Sequence, residues 1–308
     1  MKIAVICGPT ASGKSGLAFE AALSLNGEII SADSMQLYRG LDIGTAKPTK
    51  KERSRVPHHL LDLFDISERL DVYRYITLAE TAIRDIHSRG RLPILTGGTG
   101  MYIRALLYGL DPLPSNPELR AELDKEFDSE AGFEKLKEIM SVRDPEDFQR
   151  WHQHRRKLIR ALEVFELTGK SITELQKTWD GTQSPRYEVF SRRLDWDRNI
   201  LKSRILRRTD EMLAAGWIDE ASRMIEQGLL TSPTAHQALG YKIIANYLEG
   251  KLDFRTMHDR IVTETWQFAR RQITWFKNKH PESSPLAMPV EPDVIFNQMR
   301  SFAGTCLG

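Results

Sequence analysis

Over the first 110 residues two apolar patterns alternate along the chain. KIAVIC, GEIISADS and RLPILTGG are short, nearly continuous apolar runs. SGLAFEAALSL and VYRYITLAETAIRDIHSRG instead carry apolar residues three and four apart, and TGMYIRALLYGL follows the same spacing. The first pattern predicts buried strands and the second amphipathic helices. Gly90 marks the C-terminal stop of the long helix. HHLLDLFD reads as one more strand, and GEIISADS is expected to end near Asp33. Strand and helix in alternation predict a parallel sheet with helices on both faces, which is an α/β fold.

The pattern changes at DPLPSNPEL, where Pro112, Pro114 and Pro117 interrupt it. From residue 117 to about 178 every segment has helical spacing, so a helical insertion over 115–180 is expected inside a core formed by 1–114 and 181–308. YEVFSRRLDW returns as a strand, 198–279 is helical again, and the Pro- and Ser-rich tail after His280 is expected to be loose. No internal repeat is visible.

The chain has 308 residues, 41% of them hydrophobic, enough for a large core with a smaller embedded domain. No apolar run approaches the roughly 20 residues of a membrane span. The run that ends at Cys7 is too short for a secretory leader. Cys7 and Cys306 form no CxxC pair, which argues for a reducing compartment and against a cysteine zinc site. A net charge of +2 hides two basic clusters. Arg150, Arg155, Arg156, Lys157 and Arg160 fall in one stretch without an acid. Arg192, Arg193, Arg198, Lys202, Arg204, Arg207 and Arg208 face only Asp195 and Asp197. Such clusters are solvated helix faces or anion-binding surfaces.

GPTASGKS follows the first strand and opens the first helix. Gly8, Gly13, Lys14 and Ser15 match the G-x-x-x-x-G-K-[ST] loop. Its backbone N–H groups cradle phosphates, its lysine supplies a point charge, and its serine hydroxyl can hold Mg²⁺. Taken alone the loop is nucleotide-binding, for ATP among others. A phosphoryl-transfer enzyme of this kind also needs an acid at the end of a buried strand. The strand LPILT ends in Gly97, Gly98, Thr99 and Gly100 and offers none. The available acid is Asp33, expected to lie next to the first strand at the same end of the sheet. There it could be a general base, a Mg²⁺ ligand, or a turn residue.

Several stretches together resemble the tRNA dimethylallyltransferases, also called tRNA isopentenyltransferases, of bacterial type. They are GPTASGKS, SADSMQLYRGLDIGTAKP, PHHLLD, GGTGMYIRALLYGL, RKLIRALEVFELTGKSITEL, ALGYKII and RRQITWFKNK, in this order over about residues 3–279. The resemblance implies a P-loop NTPase-like core and transfer of a dimethylallyl group from dimethylallyl diphosphate. The acceptor is the exocyclic amino group of adenine 37, 3′ of the anticodon in tRNA, and pyrophosphate is released. The cradle would then hold a pyrophosphate, and the bond broken is carbon–oxygen. The resemblance also implies Asp33 (as base), Arg208 and Thr10 as catalytic residues. Donor contacts would come from Gly8, Pro9, Thr10, Ala11, Ser12, Gly13, Lys14, Ser15 and Arg204, with Mg²⁺ on Ser15. Contacts to the tRNA anticodon stem-loop would come from Asp33, Ser34, Met35, Gln36, Thr99 and Arg120, from Arg156, Lys157, Leu158, Ile159 and Arg160, and from Gln237, Ala238, Leu239, Gly240, Tyr241 and Lys242. A cytoplasmic monomer is implied, without a membrane role.

Two features depart from that pattern. WHQHRRK, before the RALE helix, is shorter and more basic than the usual I-H-P-N-[DN] loop, and the cysteines for a C-terminal zinc finger are lacking. His58, His59, His152 and His154 fit no zinc spacing and read as structural or RNA-facing. Trp151, Trp217, Trp266 and Trp275 read as core, and RRQITWFK as a helix with Ile273 and Phe276 inward. The competing functions are transfer to free adenylate and a small-molecule P-loop kinase. The insertion and its basic cluster favour a macromolecular acceptor over both.

Overall fold

The computed structural model describes residues 1–176 and 184–304. In chain order it runs β1 (Lys2–Cys7), α1 (Lys14–Ser24), β2 (Gly27–Ser31), α2 (Lys50–Arg55), β3 (His58–His59), α3 (Val72–Ser88), β4 (Leu92–Gly97) and α4 (Gly100–Tyr108). Then come α5 (Pro117–Glu126), α6 (Glu130–Arg143), α7 (Pro145–Trp151), α8 (Arg155–Thr168) and α9 (Ile172–Leu175). The chain continues through β5 (Glu188–Asp195), α10 (Arg198–Ala214), α11 (Trp217–Glu226), α12 (Tyr241–Leu248), α13 (Phe254–Lys279), β6 (Ser284–Ala287) and α14 (Pro292–Ala303). It divides into two compact units, 1–107 with 185–308, and 108–184. The dividing points lie a few residues from the expected 114/115 and 180/181. The helical reading that ran to about 178 enters residues outside the described ones, as does Cys306.

In the first unit six parallel strands run in the order β3-β2-β4-β1-β5-β6. Ile3, Ala4, Val5, Ile6 and Cys7 have no exposed surface, as expected for a central strand covered on both faces. β2 pairs with β4 and not with β1, which corrects the expectation that Asp33 adjoins the first strand. HHLLDLFD is also not a full strand: only His58 and His59 pair, and Leu60 and Asp62 take left-handed conformations at φ 65° and 55°. Extended pairing ends there, and Asp62 turns instead to Lys47 and Arg53.

The tail is ordered rather than loose. β6 pairs with β5, and α14 sets Ile295, Phe296, Met299 and Ala303 into the same apolar cluster as Leu17, Ala18, Ala21 and Ala22 of α1. The Lys2 ammonium donates to the Phe302 and Ala303 carbonyls at 2.9 and 3.3 Å, closing the C-terminal end of α14. Glu28 at the start of β2 is buried. Burial opposes its charge, but hydrogen bonds from Arg89 and His59 outweigh it, and its carboxyl stays below the usual pKa.

The second unit is all helical, around Phe127, Leu136, Met140, Leu158, Ile159 and Leu162. Prolines at the first position of α5 and α7, with Asn116 and Asp144 as N-caps, start those helices where the sequence breaks. The buried Glu163 of α8 takes Arg120 at 3.0 Å and Arg160 at 2.6 Å.

If α14 is part of the core, Met299→Ala should destabilise the first unit by about 2–5 kcal/mol. Urea unfolding followed by circular dichroism reads this, and a change below about 0.5 kcal/mol would return the tail to the surface.

Candidate active site

Ile6 and Cys7 of β1 lie beside Thr96 and Gly97 of β4, and Ser31 of β2 lies opposite Thr96. The three strands therefore end at one level, and the turns that follow them meet there. The first turn is the phosphate loop. Ala11 adopts a left-handed backbone at φ 61°, as does Gly13 at φ 87°. That strain is held from outside the loop: the Arg204 Nε donates to the Ala11 carbonyl at 2.8 Å, and the Trp196 indole N–H donates to the Ser12 carbonyl at 2.8 Å. The Arg204 guanidinium in turn lies over the Trp196 ring at 4.4 Å. Lys14 is buried and its Nζ donates to the Pro9 carbonyl at 3.1 Å. Burial, then repulsion from Arg208, lowers its pKa to about 8.

The second turn carries Asp33. Its Oδ1 accepts from the Met35 amide at 2.9 Å, and the Ser34 amide donates to the Thr99 Oγ1 at 3.1 Å. The third turn, after β4, is approached from two sides. A Cβ on Gly97 would stand 2.1 Å from the Ala32 carbonyl oxygen, and one on Gly98 2.3 Å from the Gln272 amide nitrogen. Neither position accepts a side chain. Gln272 of α13 uses the space: its Oε1 accepts from the Thr10 amide at 2.8 Å and its Nε2 donates to the Gly98 carbonyl at 2.9 Å.

These turns open into a cavity of about 630 Å³, lined among others by Lys14, Ser15, Asp33, Thr99, Arg208 and Lys242. Burial lowers the Arg208 guanidinium pKa, opposed by the field of Asp33. Neither Lys14 nor Arg208 has an ion pair among the described residues. The far rim, 236–240, is fixed by Glu220 and Trp217. Glu220 accepts from the amides of Asp42, Ile43 and Gly44 and from the Tyr241 hydroxyl at 2.6 Å. Two cations without ion-pair partners among the described residues, a carboxylate and a phosphate loop thus surround one cavity, a lining that suits an anion.

The sequence profile described as "IPP transferase" matches residues 36–279, and that described as "Isopentenyl transferase" matches residues 1–70. "tRNA dimethylallyltransferase 1" of Trichlorobacter lovleyi is 42% identical over 303 residues, covering 98% of both chains. "tRNA dimethylallyltransferase" of Caldanaerobacter subterraneus subsp. tengcongensis is 40% identical over 90% of this chain and 89% of its own. The crystal structure of the full-length tRNA isopentenylpyrophosphate transferase of Bacillus halodurans superposes with a TM-score of 0.71 at 36% identity, covering 99% and 96% of the two chains. A eukaryotic dimethylallyltransferase described as acting on tRNA superposes at 0.75 with 28% identity, over 93% of this chain and 73% of its own. The chain belongs to the tRNA dimethylallyltransferase family.

Of the residues that the likeness to tRNA dimethylallyltransferases assigns, the structure gathers Thr10, Ala11, Lys14, Ser15, Asp33, Ser34, Met35, Gln36, Thr99 and Arg208 at the cavity, with Gln237, Ala238, Leu239, Gly240 and Lys242 along its rim. Others are placed differently. Arg204 braces the phosphate loop from behind through the Ala11 carbonyl and is not among the described residues that line the cavity. Pro9 acts through its carbonyl on Lys14, and Gly8 and Ser12 are buried, so none presents a side chain to a donor. The Thr10 amide is taken by Gln272, leaving its side chain free for the cavity. Tyr241 has a buried side chain with its hydroxyl on Glu220. Leu158 and Ile159 are core residues of the second unit, and Arg120 and Arg160 are held by Glu163. Arg156 and Lys157 are exposed. His59 and His58 serve Glu28 and the Val56 carbonyl, as structural residues. Trp217 is core; Trp151, Trp266 and Trp275 are half-buried.

Gln272 and Glu220 escape a reading of the sequence. A signal for Gln272 is present: it shares a helix face with Ala269 and Phe276, both buried, where a polar side chain calls for a partner. Glu220 falls in an ordinary amphipathic helix and gives none.

The residues fit Mg²⁺. No group of three or more Asp, Glu, His or Cys residues could hold a metal among the described residues. Ser15 is exposed in the first turn of α1, and the Oδ2 of Asp33 makes no hydrogen bond among the described residues. The Ser15 hydroxyl with substrate oxygens and water forms a set that Mg²⁺ accepts.

Because Lys14 loses its proton near pH 8, binding of a diphosphate should be steady below about pH 7 and weaken by up to about tenfold per pH unit above pH 8. Calorimetric titration of pyrophosphate from about pH 6.5 to about pH 9.5 spans that window. Lys14→Met measured in parallel removes the ligand's own titration, and identical slopes in both proteins would exclude Lys14 as the titrating group.

Proposed function

We propose that this chain transfers the dimethylallyl group of dimethylallyl diphosphate to the exocyclic amino group of adenine 37 of a tRNA, releasing pyrophosphate. The observation that carries the reading is the pair Lys14 and Arg208, two cations without ion-pair partners among the described residues, in one cavity with Asp33. A bound diphosphate relieves their mutual repulsion, and its charge grows as the carbon–oxygen bond breaks. Their pull is therefore stronger in the transition state than in the ground state. Mg²⁺ on Ser15 would add positive charge at the leaving oxygens. The amino nitrogen forms the new bond to the allylic carbon and gives its proton to the Oδ2 of Asp33. Phe19, Leu61, Met212 and Phe268 supply apolar wall in the same cavity, which keeps water from a cation-like allylic carbon. The adenine must leave its stack to reach Asp33, and the rim with Gln237 and Lys242 offers polar groups for a splayed loop. The exposed Arg156 and Lys157 of the second unit suit RNA phosphates.

The test is transfer from labelled dimethylallyl diphosphate to tRNA lacking the modification; a requirement for ATP, or label on a small acceptor only, overturns the reading. In that assay Asp33→Asn should lower the single-turnover rate about 10²- to 10⁴-fold with donor and tRNA affinities within a few-fold. Arg208→Ala should lower donor affinity and rate together. Near-normal turnover in Asp33→Asn removes the base role, and loss of Mg²⁺-dependent donor binding makes Asp33 a metal ligand instead.

Arg156→Ala with Lys157→Ala should weaken tRNA binding and reduce the slope of log affinity against log salt by about 1.5–2. An unchanged slope leaves both residues as a solvated face.

A further inference from the structure

We infer that Gln272 is a positioning residue that sets the distance between the phosphate loop and the Asp33 turn, and so between leaving group and acceptor; this rests on the prenyl-transfer reading. Gln272 is 7% exposed, on a helix of 26 residues, and bonds the phosphate loop and the β4 turn with one planar amide. Its two ends are not interchangeable. The Thr10 N–H can only donate, so it fixes Oε1; the Gly98 carbonyl can only accept, so it fixes Nε2. Flipping the amide would break both bonds.

The connection continues past Gly98. The next residue, Thr99, donates its amide to the Ala32 carbonyl at 3.0 Å and accepts the Ser34 amide on its Oγ1 at 3.1 Å. Ala32 and Ser34 flank Asp33. A chain of hydrogen bonds and peptide links thus runs from Thr10 in the phosphate loop, through Gln272 and the β4 turn, to both neighbours of the proton acceptor. The loop and the Asp33 turn follow β1 and β2, which are not neighbours in the sheet. No ladder of hydrogen bonds aligns them directly. Gln272 supplies the cross-link at the level where the strands have ended. Substitution at Gly98 would close the space the amide occupies, since a Cβ there meets Nε2 at 2.3 Å.

Displacement at the allylic carbon depends steeply on this distance, and a misplacement of about 1 Å can cost about 10²-fold in rate. Both hydrogen bonds of the Gln272 amide go to the protein's own backbone, so its loss should act on rate rather than on binding. Gln272→Met keeps length and volume but neither hydrogen bond. The expected result is a single-turnover rate lower by about ten- to a hundredfold, with pyrophosphate and tRNA affinities within about threefold of the native protein. Gln272→Glu, which keeps the Thr10 bond and loses that to Gly98, should also be slow. It serves as the second variant if the methionine protein does not fold. Thr99→Val breaks the next link without touching α13. Since both act on one chain, the double variant with Gln272→Met should be no more than about threefold slower than the slower single variant. A rate within about threefold of native in the Gln272 variants, multiplicative losses in the double variant, or pyrophosphate affinity falling as far as the rate would each overturn the inference. A native protein that transfers nothing to tRNA removes the reading and the role of Gln272 with it; variants as fast as an active native protein remove the role alone.

Discussion

The end of β4 can be approached closely because Gly97 and Gly98 have no side chains, and the site is arranged around that. The Ala32 backbone comes so near Gly97 that a Cβ would stand 2.1 Å from its carbonyl oxygen, and Gln272 fills the space beside Gly98. The Asp33 turn and α13 both rest on this surface, one on each side. The same constraint accounts for the missing acid after LPILT. A side chain at Gly97 would collide with the Ala32 backbone and one at Gly98 would have to displace the Gln272 amide, and the carboxylate beside the cavity's cations comes from the β2 turn instead. Asp33 therefore stands across β4 from the phosphate loop rather than beside the loop on the next strand.

Charge is distributed with the same division of labour. Three buried carboxylates away from the phosphate loop are satisfied: Glu28 by Arg89, Arg91 and His59, Glu163 by Arg120 and Arg160, and Glu220 by three amides and a tyrosine hydroxyl. Satisfied in this way they fix local structure at little electrostatic cost. The buried Lys14 and the half-buried Arg208 are the opposite case. Lys14 has only the Pro9 carbonyl, and Arg208 has no ion pair among the described residues. Holding two such charges close together costs free energy, a cost that a bound anion would lower.

Much of this is legible in the chain. The strand–loop–helix order around GPTASGKS identifies the phosphate cradle, because each of its residues has a local reason to be there. The helical insertion is announced by its prolines and by unbroken 3.6-residue spacing. What is not legible depends on packing between distant segments. Lys14 and Gln272 are 258 positions apart, and nothing in RRQITWFK says which carbonyl Gln272 meets. Arg204 and Arg208 sit one turn apart on the same helix and look alike in sequence. Only the position of Trp196 decides that Arg204 braces the loop from behind while Arg208 enters the cavity. Tyr241 misleads for the same reason: its neighbour Lys242 is exposed, while the tyrosine turns inward to Glu220. The expectation that β2 lies beside β1 fails because strand order in the sheet is a property of crossovers, which local periodicity does not encode. The tail reads as loose because its short strand and late helix are stable only against β5 and α1.

The phosphate loop by itself does not choose a reaction. Its amides, lysine and serine hold a diphosphate equally well whether the bond that breaks is to phosphorus or to carbon. The choice is made by what faces it. An acid at the end of the neighbouring strand would organise attack on phosphorus. Here that strand is β4, its end is bare glycine, and the carboxylate stands one strand further away with room between for a carbon chain and a base. Reaction across that wider gap depends on holding its two edges at a fixed separation, and the sheet does not do this once its strands have ended. A side chain from α13 that bonds the phosphate loop and the β4 turn, which in turn bonds the Asp33 turn, suits such a geometry. The phosphate loop thus comes from local sequence, while the contact that ties it to the β4 turn comes from a distant segment.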